Sequence, residues 1–138
     1  MAFAGVNYLA VLLAAIAAFI FGGAWYGMLR KAWLAALGKP EAAIKSGPPM
    51  ALRMAVAAAA LLVMAYMLAG VMGHLGPGQV TLVNGVVAGF FIWLGFVLTT
   101  LVVNYVFQNQ KWTLTLIDGG HWLGVLLIEG AVIGGIGV

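Results

Sequence analysis

The chain has 138 residues, of which 65% are hydrophobic and only 7% charged, whereas a soluble domain carries about a quarter charged residues, so a water-soluble fold is not expected. The net charge of +3 comes from six basic residues against three acids. Those bases flank apolar runs instead of clustering on one face, which argues against a nucleic-acid partner, and the absence of cysteine excludes disulfides, thiolate metal sites and thiol nucleophiles.

A helix that crosses a hydrocarbon core of about 30 Å needs about 20 largely apolar residues. Four such runs fill positions 1–138 as a single transmembrane domain and leave no room for a soluble one. The first covers about 4–29. It contains Ala15-Ile16-Ala17, yet it has no basic residue before it and exceeds the roughly 7 to 15 residues of a signal core, so it reads as a retained helix. Arg30 and Lys31 end it. The polar connection that follows carries Lys39, Glu41, Lys45, Pro48-Pro49 and Arg53, and opens with an expected short interfacial helix through Ala32 to Leu37, stopped by Gly38-Lys39-Pro40. The second helix is expected over 54–72, followed by the Gly- and Pro-rich turn Gly73 to Gly78. The third spans 80–107 and is closed by Gln108-Asn109-Gln110-Lys111-Trp112, and the fourth fills 115–136. Short connections make neighbours antiparallel. The predicted fold is therefore an all-α integral membrane bundle of four transmembrane helices.

All six basic residues, Arg30, Lys31, Lys39, Lys45, Arg53 and Lys111, lie in or beside the first and third connections. The positive-inside rule puts loops 30–53 and 108–114 in the cytoplasm and both termini outside. Trp25, Tyr26, Trp33, Tyr105, Trp112 and Trp122 gather near the same boundary, as amphipathic rings do at headgroup depth. Small residues four apart mark close helix approach: Gly23 with Gly27, Gly85 with Gly89, Gly120 with Gly124, Gly130 with Gly134, and the Ala51, Ala55, Ala59 face. They predict tight packing within the bundle, between subunits, or both.

The order of features carries a resemblance. The first helix ends in Phe21-Gly22-Gly23-Ala24-Trp25-Tyr26-Gly27-Met28, followed by Lys31-Ala32-Trp33. The third carries Trp93-Leu94-Gly95-Phe96, and the fourth opens with Leu116-Ile117-Asp118-Gly119-Gly120-His121-Trp122. This resembles the small bacterial membrane family called domain of unknown function 1761, with its Gly-x-x-Trp-Tyr, Lys-Ala-Trp, Trp-x-Gly-Phe and Ile-Asp motifs, over nearly the whole chain. Where that pattern has a Tyr after the Asp and Gly positions, this sequence has His121-Trp122. The resemblance implies the fold, the topology and a bacterial cytoplasmic (inner) membrane location, and it implies no activity.

An ionisable side chain inside a bilayer costs roughly 2.5 to 3.5 kcal/mol on insertion and is a functional candidate by default. Glu129 is the foremost case, about 20 Å along the fourth helix from its cytoplasmic start and so near the membrane middle. The same depth on the second helix falls at Tyr66, its natural hydrogen-bond partner if those helices touch. Glu129 either pins two helices together or loads and releases a proton during transport. Asp118, His121, Val125 and Glu129, at offsets 3, 7 and 11, make one helix stripe from the cytoplasmic rim to the midplane. Carboxylates and histidines of that kind form proton relays, although His121 and Glu129 are about 12 Å apart along the axis. The plainer reading of Asp118 is an ion pair with Arg30 or Arg53, or a helix N-terminal cap. For His121 it is polar packing against Asn104. Thr100, Asn104 and Gln108 form a polar row suited to interhelical hydrogen bonds, and Asn7, Asn84 and His74 are isolated polar positions.

No catalytic, cofactor or metal site is expected. Asp118 and His121 supply two ligands where a metal needs three or four, and Ser46 has no base nearby in sequence. The expected function is that of a structural, accessory or self-assembling membrane subunit, in contact with the lipid bilayer and forming a homo-oligomer or joining partner membrane chains. The alternative is a compact proton-coupled secondary transporter or channel, working as an oligomer with Glu129 as the coupling carboxylate.

Overall fold

The computed structural model describes residues 3–137, and among them every regular element is helical. The elements are α1 (Tyr8–Met28), α2 (Arg30–Leu37), α3 (Glu41–Lys45), α4 (Met50–Gly73), α5 (Leu82–Phe107) and α6 (Trp112–Ile136). Four of these, α1, α4, α5 and α6, are long and apolar enough to cross a membrane.

Local chemistry sets the boundaries, and it moves several from their sequence expectation. α1 starts at Tyr8 because the Asn7 side chain caps it, accepting from the Ala10 N–H at 3.1 Å. Thr81 does the same for α5, accepting from the Asn84 N–H at 3.2 Å. α4 begins at Met50, directly after Pro49, four residues before the apolar run suggested. Arg53 fits inside its first turn because the guanidinium folds back onto the carbonyls of Pro48 at 2.9 Å and Ile44 at 2.6 Å. α2 ends at Gly38, whose left-handed φ of 66° suits a residue without Cβ. The short α3 has no counterpart in the sequence reading, and neither does the π-helical stretch Trp93–Leu98 inside α5.

α6 is the centre of the molecule. It lies along α1 on one side and α5 on the other, while α4 packs mainly on α1. The close approaches run in opposite senses along each pair. From α5 to α6, Thr81 meets Gly134, Gly85 meets Gly130 and Gly89 meets Leu126; from α1 to α6, Phe21 meets Gly124 and Trp25 meets Gly120. These neighbours are therefore antiparallel. A Cβ on Gly85 or Gly130 would collide with the other's carbonyl, so α5 and α6 touch backbone to backbone and only glycine fits there. On the other side Ala14, Ala18 and Ala65 are fully buried among Leu61, Leu68, Met72, Val125 and Ile133.

The outward surface of the long helices is largely apolar, apart from the row Thr100, Asn104 and Gln108 on α5. Leu9, Ile20, Val63, Phe91, Phe96 and Leu116 are exposed, a surface that hydrocarbon accepts and water does not.

Candidate functional site

Asp118 sits two turns into α6, 9% exposed, and its neighbours converge on it from two helices, α1 and α5. The Tyr26 hydroxyl of α1 donates to Oδ1 at 2.6 Å and the Tyr105 hydroxyl of α5 donates to Oδ2 at 2.5 Å. The indole of Trp25 donates to the Ile117 carbonyl at 2.9 Å, and that of Trp93 to the Gly119 carbonyl at 2.8 Å. A helical carbonyl has a second lone pair free for such a bond. Trp93 opens the π-helical stretch of α5, so the widened turn begins at the residue that reaches across. Trp33 of α2 stands edge-on to Tyr26, with ring centroids 5.9 Å apart.

The acid thus makes neither the ion pair nor the cap expected of it. Arg30 pairs instead with Glu41, and Arg53 holds loop carbonyls. Outside the long helices, the Arg30 guanidinium beside Glu41, aided by Lys45 one turn on, holds the Glu41 carboxyl below its usual range.

His121 is 7% exposed and boxed by aromatic rings: Phe21 parallel at 6.1 Å, Tyr26 at 4.9 Å and Trp122 at 4.6 Å. Its Nε2 faces Gly22, where a Cβ would stand only 2.9 Å away, and its Nδ1 is buried without a partner. Asn104 is exposed on α5, and among the described residues the His121 Nδ1 has no hydrogen-bond partner, so the expected polar contact between them is not seen.

Glu129 is fully buried, and neither carboxyl oxygen has a hydrogen-bond partner among the described residues. Tyr66 does not reach it; that ring stacks on Phe3 at 5.1 Å and Tyr8 at 6.3 Å. Equal depth on two helices is not contact, because the Tyr66 edge of α4 faces the start of α1. The stripe Asp118, His121, Val125, Glu129 is buried throughout, and Val125 puts an apolar turn between the imidazole and the inner carboxyl. No group of three His, Cys, Asp or Glu converges on a metal position among the described residues.

The glycine pairs divide. Gly85, Gly89, Gly130 and Gly134 meet backbone, and Gly120 and Gly124 receive the rings of Trp25 and Phe21. Gly23 and Gly27 meet nothing within 4 Å. They line a groove of about 820 Å³ between α1 and α4, bordered by Arg30 and Arg53 and reaching His121 and Trp122.

Residues 9–134 match the family described as a protein of unknown function, DUF1761. The chain belongs to that family. No curated protein and no solved structure matches it. The DUF1761 resemblance rests on Trp25-Tyr26, Lys31-Ala32-Trp33, Trp93-Leu94-Gly95-Phe96 and Ile117-Asp118, and the fold brings at least one residue of each motif to one place. The two indoles, a tyrosine and the acid form the clamp, and Trp33 backs it. Sequence reasoning reads Trp25, Tyr26, Trp33 and Tyr105 as interfacial anchors, gives Trp93 no role beyond the motif, and misses their convergence. The available signal was that the motifs at Trp25-Tyr26, Lys31-Ala32-Trp33 and Ile117-Asp118 fall near one membrane boundary; Trp93, at the middle of α5, carried no such signal. Tyr105 also belongs to the clamp, though it lies outside the motifs.

Proposed function

We propose that the chain is a non-enzymatic structural or accessory subunit of the bacterial cytoplasmic membrane, which assembles with copies of itself or with partner membrane chains. Its termini lie outside and loops 30–53 and 108–114 in the cytoplasm. The lock on Asp118 carries this reading. Both carboxyl oxygens accept hydrogen bonds from tyrosine hydroxyls, and the carbonyls on either side of it accept indoles. Such an acid ties three helices together and leaves no lone acid–base pair poised for substrate. Support for association comes from α5, where only Gly85 and Gly89 are buried before the π turn and nothing after it, leaving Thr100, Asn104 and Gln108 facing outward.

A second reading, proton-coupled transport, draws on the unpartnered oxygens of Glu129. Reconstitution into proteoliposomes separates the two. The structural reading expects no pH-gradient-driven flux from the parent or from Glu129→Gln, with altered oligomer size or stability in the variant. A flux in the parent that Glu129→Gln abolishes, with assembly intact, replaces it by the transport reading.

A further inference from the structure

α1 and α4 are in close contact along one half of their length and part along the other. α4 has no buried residue from Met50 to Ala60, whereas Leu61, Ala65, Leu68, Ala69, Gly70 and Met72 are all buried beyond that point. On α1 the facing positions are Gly23 and Gly27, with open space where side chains would stand. The resulting groove follows α1 from Phe19 to Arg30, about 16 Å at 1.5 Å per residue. That is roughly half of a 30 Å hydrocarbon core, the depth of one leaflet.

The groove is chemically asymmetric. Its inner stretch is lined by Phe19, Gly23, Val56, Ala57 and Ala60, and its outer end by Arg30 and Arg53. Arg30 has Glu41 as a counter-charge. Arg53 has none among the described residues: Glu41 bridges Arg30 and Lys45, Asp118 is held by tyrosines and Glu129 is buried in the core. The Arg53 guanidinium is nonetheless fixed, by the Pro48 and Ile44 carbonyls. An immobilised, uncompensated guanidinium above an apolar trough of leaflet depth matches a phosphate with an acyl chain beneath it.

We propose that this groove binds one anionic phospholipid of the leaflet on the basic side, its phosphate at Arg53 and Arg30 and one acyl chain along Gly23, Gly27, Ala57 and Ala60. The lipid completes the α1–α4 contact that side chains leave open. The groove borders the Asp118 clamp at Tyr26, but the lipid contacts proposed at Arg53, Arg30, Gly23, Gly27, Ala57 and Ala60 are not part of that clamp, so failure of the lipid proposal and failure of the structural reading are distinguishable.

Native mass spectrometry of the purified, delipidated protein tests it, with phosphatidylglycerol and phosphatidylcholine of the same acyl chains as probes. Phosphatidylglycerol is retained at lower lipid concentration than phosphatidylcholine, and Arg53→Gln weakens that preference about fivefold, the contribution of one basic residue near anionic lipid. Gly23→Leu fills the trough from a position with open space, leaves the arginines and the clamp in place, and removes retention without lowering the melting temperature. Equal retention of the two lipids, or parental retention by both variants, overturns the proposal. So does disulfide formation between two copies of Ala57→Cys in native membranes, which would place a second protein chain in the groove.

Discussion

Asp118 is held by hydroxyls instead of cations, and this makes the site sensitive to small deletions. Tyr105→Phe removes one oxygen while leaving the ring. Leaving a buried acceptor unsatisfied costs about 1 to 3 kcal/mol, with membrane proteins toward the low end. The variant should melt at lower temperature in detergent, and so should Tyr26→Phe. Because both bonds end on one carboxylate, the double variant should depart from the sum of the singles, as a double-mutant cycle would show. A strictly additive pair would mean that the tyrosines do not share Asp118. The polar residues were legible in the sequence as candidates; their partners were not. Asp118, His121 and Glu129 stood out because ionisable groups are rare in apolar runs, whereas the choice of Tyr26 and Tyr105 over Arg30 and Arg53 depends on which rings the α1–α6 and α5–α6 contacts bring within reach. Tyr66 shows the same limit. Depth along an axis is readable from residue counts, and rotation about that axis is not.

At the level of helices, the contact between α5 and α6 tolerates no side chain at Gly85 or Gly130. Gly130→Leu should destabilise the bundle by about 1 to 3 kcal/mol or more, the usual range for overpacking. Gly27→Ala, placed in open space, should stay within about 0.5 kcal/mol. Thermal melts of the two variants side by side check the contrast, and equal losses would refute the backbone contact. The ion pair between Arg30 of α2 and Glu41 of α3 makes a pH prediction. Arg30 and Lys45 hold the Glu41 carboxyl below its usual range, so the folded state binds that proton less readily than the unfolded one. The stabilisation is present above the ordinary glutamate pKa and is lost as pH falls through the lower, folded value. Amide exchange in α2 and α3, corrected for its intrinsic pH dependence, should rise on acidification through that range, and Glu41→Gln should remove the pH dependence. The long helices themselves were plain from hydropathy, with starts misplaced by two to four residues: caps intervened at α1 and α5 and Arg53 at α4, while α6 begins at Trp112, three residues before the expected 115, without a side-chain cap. The π-helical turn in α5 had no signature, since Trp93 to Leu98 are ordinary apolar and aromatic residues whose register is set by what Trp93 reaches on α6.

For the molecule as a whole, the distribution of basic residues predicts its orientation in the membrane. The chain has no cysteine, so single introduced thiols report cleanly. In intact cells Ser46→Cys should be shielded from an impermeant thiol reagent and Gln79→Cys should be labelled; the reverse pattern would invert the topology. Residue order alone was enough to establish four long apolar helices and the family to which they belong, because hydropathy, charge and motif spacing are local properties of a chain. Folding decided that α6 is the central helix, that scattered aromatics close on Asp118, that Glu129 is left without a partner, and that Gly23 and Gly27 border a groove while Gly85 and Gly130 seal a contact. Those outcomes depend on the rotation and splay of each helix. In a chain largely apolar on every face no hydrophobic periodicity encodes them, so they emerge only when the helices pack.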